Sequence, residues 1–362
     1  MIGGTVARVP PLSGELTSSW LFRLAQAHGE TPHGLAKFIW GEGSPWTRDL
    51  DRSLSNKQLD AIARFARTHA SRATDTSLLA AESQSAGDDR KRAIAPGILA
   101  VGVHHRTRRL HGQQVCPDCL SQDKAPHLRR TWRLAFVFAC VRHDRLLRDA
   151  CSACDSPISA YRPSDVPLTH CGECGTSLTR GERVRCDPTT ISTQKQLLQA
   201  LHTNRFMSGA LNAPFADWLA GLRVMFGAAA RDNGTPGLWQ DDAATLVGRG
   251  PQHPQLEKSR VERRAQGLRA VVSLSTEWPN RFILRARQCD LTQGMVIHPR
   301  RSGVPTWLAE VVRAELRPSR KRVKKIYKPP KQRANKRKAL AHPDASKRIS
   351  ERLDRVLGAR SR

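Results

Sequence analysis

The chain has 362 residues, enough for two or three domains, and carries 60 Lys and Arg against 32 Asp and Glu, a formal charge of +28. That excess points to a polyanionic partner, nucleic acid first. No run of about 18 apolar residues occurs, which excludes a membrane-spanning helix, and the basic region lacks the bulky apolar residues a membrane-surface helix needs.

The start, Met-Ile-Gly-Gly-Thr-Val-Ala-Arg, has no basic region followed by an apolar run, so no secretory signal is expected. The N-terminal 68 residues read as helical. Ser13 is a candidate cap for a helix that sets Leu16, Trp20, Leu21, Leu24 and Ala27 on one side. His28-Gly29 ends it, glycine suiting the left-handed position past a helix end. Thr31-Pro32 starts a second helix, with Thr as cap and Pro in the first position, whose apolar face is Leu35, Phe38 and Ile39 and which ends at Gly41. Ser44-Pro45 opens a short third element, and Ser55-Asn-Lys-Gln58 fits a capping box ahead of Leu59, Ile62, Ala63 and Phe65. Helix, glycine turn, helix is compatible with a DNA-reading helix-turn-helix unit and with any small helical bundle. Residues 69–110 read as a linker, and the stretch around Thr76 to Glu82 as linker or a weak helix.

The strongest pattern lies between Cys116 and Cys174. Seven of the nine cysteines and one histidine form four successive pairs, each with two residues between its members: Cys116/Cys119, Cys140/His143, Cys151/Cys154 and Cys171/Cys174. Two such pairs complete a tetrahedron, so four pairs provide two four-ligand zinc sites with nothing left over. Chain order joins Cys116 and Cys119 to Cys140 and His143 across 20 residues, and Cys151 and Cys154 to Cys171 and Cys174 across 16. The interleaved arrangement, first pair with third and second with fourth, is the alternative. Full protein ligation leaves no solvent position, which indicates structural zinc, two ions per chain, in place of catalytic zinc. A disulfide framework would need an oxidising compartment. Cys186 and Cys289 are left over and read as ordinary buried or partly exposed residues.

Residues 116–186 hold 11 Lys or Arg and 8 Asp or Glu. With two Zn²⁺ and seven thiolates the segment comes to about zero charge, which suits packing against protein. Arg129, Arg130 and Arg133 still offer a local basic face to phosphate, and Trp132 reads as a core residue.

Beyond the pairs, Ser192 to Met207 and Pro214 to Arg231 read as helices, Asp232 to Gly237 as a loop, and Leu256 to Leu274 as a long charged helix. Another starts around Ser275 to Pro279, and Val304 to Leu316 is the last ordered one. From Arg317 to Lys338 there are 12 Lys or Arg in 22 residues and no acid. Such a segment cannot build a core and is expected to be a disordered basic tail that binds DNA without sequence preference, through Arg320, Lys321, Arg322, Lys324, Lys325, Lys328, Lys331, Arg333, Lys336, Arg337 and Lys338.

The chain has no Gly-x-x-x-x-Gly-Lys-Ser/Thr loop, no nucleophile motif and no local carboxylate cluster for two catalytic metals. Scattered acids such as Asp241, Asp242 and Glu257 read as solvated helix positions, and no enzymatic activity is expected.

The fold class that emerges is mainly α with small zinc-ribbon-like α+β modules. Five parts are expected: a helix-turn-helix-like bundle (1–68), a linker (69–110), a double zinc-finger module (111–188), a helical domain (189–316) and the basic tail (317–362).

The run VCPDCLSQDKAPHLRRTWRLAFVFACVRHDRLLRDACSACDSPI from Val115, with its Cys-Pro-x-Cys-Leu, Arg-x-Trp-Arg and Cys-x-x-His followed by Leu-Leu and Cys-x-x-Cys, resembles the TniQ family of transposition target-selection proteins. The opening Gly-Glu-Leu-Thr-Ser-Ser-Trp-Leu-Phe-Arg-Leu-Ala is similar to that family's first helix-turn-helix. The resemblance covers roughly residues 12–66 and 96–186. It implies a non-catalytic adaptor that links target DNA, or a targeting assembly such as a CRISPR effector complex, to an AAA+ ATPase regulator and a transposase. It carries over residue by residue only to the eight zinc ligands. A cytoplasmic, nucleoid-associated protein without a membrane is expected. The alternatives are a sequence-specific transcriptional regulator that uses the N-terminal helices, and a nuclease or recombinase with a dispersed active site.

Overall fold

The structure, a computed structural model, describes residues 8–41, 45–78, 95–104, 107–159, 166–229, 255–297 and 303–318. Helix α1 (Thr17–Ala27) buries Trp20, Leu21 and Leu24 against α2 (Pro32–Trp40) and α4 (Asn56–Phe65), with Leu35, Trp46, Leu59 and Ile62 completing this apolar cluster. The expected caps are present. Thr31 Oγ1 accepts from Gly34 N at 3.0 Å ahead of Pro32, and Ser55 and Gln58 exchange both bonds of a capping box. Pro45–Thr47 is a single 3₁₀ turn, followed by the short α3 (Leu50–Ser53).

The start of α1 differs from the reading. Ser13 does not cap it; the helix begins after an extended Leu16 and has no side-chain cap. Tertiary bonds take the cap's place. Leu16 N donates to Leu128 O at 2.9 Å and Thr17 N to Thr76 O at 3.1 Å. The buried Glu15 carboxylate accepts from Leu12 N and from Ser19 Oγ, both at 2.9 Å. The amides at the start of α1 are thus spent on Leu128, Thr76 and the Asp51 carboxylate, all distant in sequence. A short helix, α5 (Ala70–Thr74), precedes the weak helix expected over Thr76 to Glu82, of which only Thr76, Ser77 and Leu78 are described; they are not helical and are buried, bonded to α1 and α3. Residues 79–94 lie outside the described ones.

The centre of the chain is built from short pieces: the antiparallel pair β1 (Val103–His104) with β2 (Thr107–Arg108), α6 (Pro117–Gln122), a 3₁₀ turn at Arg130–Arg133 and the antiparallel pair β3 (Ala139–Cys140) with β4 (Arg145–Leu146). Between them Leu134 to Phe138 is apolar, buried and irregular, so its amides and carbonyls need partners. Buried polar side chains supply them. Gln194 Oε1 accepts from Phe138 N and Ala139 N, Gln114 donates to Trp132 O and Val137 O, and Arg264 donates to Ala135 O and Val137 O.

Helices α7 (Pro188–Thr203), α8 (Phe215–Ala229), α9 (Val261–Ser275), α10 (Asn280–Gln288), α11 (Gln293–Val296) and α12 (Thr306–Glu315) pack behind this centre in one continuous apolar core with it. Three details depart from the sequence reading. Helix α7 starts four residues earlier, at an Asp187 cap, and stops at Asn204, after which β5 (Arg205–Ser208) and β6 (Leu211–Pro214) form a hairpin. Gly209 makes the hairpin turn at φ 57°, where it lies against the carbonyl of Thr276 and leaves no room for a Cβ. The long helix from Leu256 is a 3₁₀ turn (Leu256–Lys258), an extended Ser259-Arg260 and then α9. The loop reading at 232–237 lies outside the described residues. Among the described residues no helix is long and apolar enough to cross a membrane.

Candidate metal centres

The four pairs close into two clusters, in chain order and not interleaved. In the first, Cys116 is the residue before α6, with Pro117 in the helix's first turn, so the helix brings Cys119 back beside Cys116. Cys140 ends β3, and the turn to β4, with Asp144 at φ 49°, presents His143. Val115 exchanges both backbone bonds with Arg148, at 2.8 and 2.9 Å, which holds the α6 entry against the hairpin. Nδ1 of His143 lies 3.4 Å from Cys116 Sγ, 3.4 Å from Cys119 Sγ and 3.5 Å from Cys140 Sγ, and Cys119 Sγ lies 3.7 Å from Cys140 Sγ.

The second cluster is a repeated knuckle. In each half the first cysteine's amide donates to the carbonyl five residues on, Cys151 to Ser156 and Cys171 to Thr176. Its carbonyl accepts from Asp155 N or Gly175 N, both of these residues having positive φ. Its sulfur lies 3.4 Å from Ala153 N or Glu173 N, an N–H···S bond. Across the knuckles Cys151 Sγ and Cys174 Sγ are 3.6 Å apart, and Cys154 Sγ and Cys171 Sγ 3.7 Å.

These distances test the fit to a metal. A tetrahedral Zn²⁺ with Zn–S of about 2.3 Å and Zn–N of about 2.0 Å has S···S edges of about 3.8 Å and S···N edges of about 3.5 Å. Both clusters match these edges, and each can hold one metal ion. The protons agree. Burial pushes the Cys151 thiol up to about 12, the neighbouring Cys116 and Cys140 sulfurs raise Cys119, and donation from Cys116 and Cys119 lowers Cys140. Ionising the whole set calls for a cation.

The clusters differ in exposure and anchorage. Cys116, Cys119 and Cys140 are buried, whereas Cys154 and Cys174 are exposed. The second cluster is tied to the C-terminal helices by Arg260. Its Nε donates to the buried Asp149 at 3.0 Å and its other nitrogens to Asp155, the residue after Cys154. Asp149 also accepts from Val261 N, the first amide of α9, at 2.8 Å. Nothing in the ligand spacing announces Arg260, because it stands more than 100 residues from its partners.

Three expectations are corrected. Arg129, Arg130 and Arg133 do not form a face for phosphate. Arg133 is 1% exposed and donates to Asp49 at 2.6 Å and to Asp51 at 3.0 Å; Arg129 pairs with Asp123 and lies over the Trp132 ring, and Arg130 donates to Ser77 O. Glu257 is not a solvated helix position. It is buried, accepts from Gly97 N and pairs with Arg223, since the irregular strand before the first cluster needs a buried acceptor there. Phe38 does not join the apolar face of α2: it points outward at 77% exposure, with Phe65 edge-on. Trp132, Cys186 and Cys289 are buried or half-buried as read. The eleven basic tail residues from Arg320 to Lys338, and Asp241 and Asp242, lie outside the described residues.

No curated protein matches this chain. Residues 6–147, less than half of it, match the model of the TniQ family. The match takes in the N-terminal helices and every ligand of the first cluster, and it stops before Cys151. Over this segment, from ahead of α1 through the β4 strand beyond His143, the chain is similar to the TniQ family.

Proposed function

We propose that the protein is a non-catalytic adaptor for target-site selection in DNA transposition, with one structural zinc in each cluster. In this role it joins target DNA, or a targeting assembly such as a CRISPR effector complex, to an AAA+ ATPase and a transposase. The observation that carries the reading is the TniQ match over the residues that build the first centre, since that family implies a part in transposition target selection. The closed clusters support it: a zinc with four protein ligands braces a fold and offers no place to a substrate. The basic tail supplies sequence-independent grip on DNA. The four-residue turn between α1 and α2, with Gly29 at φ 67°, supports a helix-turn-helix reading of this pair.

The test combines metal analysis, pull-down and a transposition assay. Purified protein should hold two zinc ions, bind its cognate AAA+ ATPase and neither hydrolyse ATP nor cut DNA, and insertion should fail without it. Normal transposition in a strain that lacks the chain, with a sharp operator preference of the purified protein, would replace the adaptor by a transcriptional regulator. Metal-dependent DNA cleavage would replace it by a nuclease.

A further inference from the structure

The first centre has a polar neighbour that its ligand pattern does not require. His143 turns Nδ1 to three sulfurs, and its Nε2 stands 2.8 Å from Oε1 of Gln122. An imidazole that gives its Nδ1 lone pair to a cation keeps its proton on Nε2, so Nε2–H donates and the amide oxygen accepts. Gln122 is the last residue of α6 and follows Cys119 by three, so both project from one side of that short helix. One helical turn therefore delivers a sulfur ligand and the acceptor that aims the nitrogen ligand.

We propose that Gln122 is the positioning residue of the first centre, holding His143 in the tautomer and ring orientation that present Nδ1 to the metal. This rests on the reading of both clusters as zinc sites. The choice of an amide fits the local charge. Three thiolates already exceed the charge of a divalent ion, and a neutral acceptor orients the ring without adding another negative charge. Gln122 is exposed, so water competes for Nε2–H in its absence. The expected loss on removing the acceptor therefore stands near the lower end of such effects, about 10-fold in affinity.

The experiment uses the full chain as wild type, Gln122→Met, which keeps the length and removes the acceptor, and Gln122→Glu, which keeps an oxygen acceptor. Zinc affinity is read by competition with a chromophoric chelator, and the His143 ring by proton–nitrogen correlation spectra. Gln122→Met should weaken one of the two sites about 10-fold, leave the other unchanged and speed exchange of the Nε2 proton with water; Gln122→Glu should stay within about threefold of wild type at both sites. The proposal is overturned if Gln122→Met matches wild type in affinity and proton exchange, if it weakens both sites alike, or if Gln122→Glu fails as badly as Gln122→Met. A wild type that does not take up two zinc ions would instead refute the zinc reading on which the proposal stands.

Discussion

Replacing Arg133 with Met should expose what joins the N-terminal helices to the metal-bearing centre. Arg133 is buried and its guanidinium serves Asp49, Asp51 and the carbonyl of Leu99. Asp51 is buried too, and also accepts from Ser18 N at 2.8 Å and Ser18 Oγ at 3.0 Å. Removing one partner of a buried ion pair costs about 3–5 kcal/mol, because the other charge stays in place without compensation. Methionine keeps most of the packing, so the loss measures charge and hydrogen bonds. The pH dependence gives a second, sharper expectation. Burial, with Asp49 adding and Arg133 opposing, raises the Asp51 carboxyl from 3.8 to about 6. Its folded value lies above its unfolded one, so its contribution to stability is fully present below pH 3.8 and is lost as pH rises through 6, a span of about 3 kcal/mol. Without Arg133 that carboxyl rises further, so ionised Asp51 costs the variant most at high pH. Urea unfolding followed by tryptophan fluorescence, with zinc in excess, should give a wild-type-minus-variant difference of about 3–5 kcal/mol at pH 8. At pH 5.5 the difference should be smaller by at least about 1 kcal/mol, because protonation then relieves the orphaned charge. The metal contribution is common to both proteins and cancels. A difference under about 1 kcal/mol at pH 8, or one that grows on acidification, would refute the buried-pair account.

Cys140→Ser should leave one zinc per chain by metal analysis, with the second centre intact, since no ligand is shared between the clusters. Titration of wild type with a chelator should empty the second centre first, because Cys154 and Cys174 are exposed while all three sulfurs of the first are buried; Cys140→Ser identifies which step is which. Truncation after Pro318 should flatten the dependence of DNA affinity on salt, the slope falling by roughly 0.9 for each phosphate that the tail neutralises, as read by fluorescence anisotropy across a salt series.

The sequence made the two clusters readable because metal ligation imposes residue type and spacing together: a Cys-x-x-Cys or Cys-x-x-His pair is visible in the chain wherever it folds. The caps at Thr31 and Ser55 were readable for a similar reason, as each bonds within three residues. What stayed hidden depends on partners far along the chain. Ser13 has the right chemistry for a cap, but Leu128 and Thr76 take the amides of α1, and neither is near in sequence. Arg133 and Glu257 looked like surface charges, and only the fold shows that each has its counter-charge in another element. Gln122 carried no signal, since an exposed glutamine at a helix end is ordinary until His143 faces it. The β5–β6 hairpin did leave a trace. Phe206, Leu211 and Ala213 are buried in alternation with exposed neighbours around Gly209, a period of two that a helical reading of 192–207 overran.

These hidden contacts bear on how an adaptor would work. The N-terminal helices build an apolar cluster of their own, while Leu16, Phe22 and Leu78 belong to the core that holds the Cys/His clusters and the C-terminal helices. Apolar contact alone has no direction and would let two such cores slide. Directional bonds cross this joint beside the apolar contact: Arg133 to Asp49 and Asp51, Leu128 N to Ser19 Oγ, Leu16 N to Leu128 O, and Arg130 N to Gly14 O. Each needs its partner within a few tenths of an ångström, and the buried charges among them are costly to separate. The first cluster then braces the segment from which Leu128, Arg130 and Arg133 project, because Cys119 and Cys140 bracket it. A metal ion held in that site would therefore brace the position of the N-terminal helices without touching them. In the proposed adaptor role, holding a target and an ATPase at a set separation would call for that kind of stiffness at the joint.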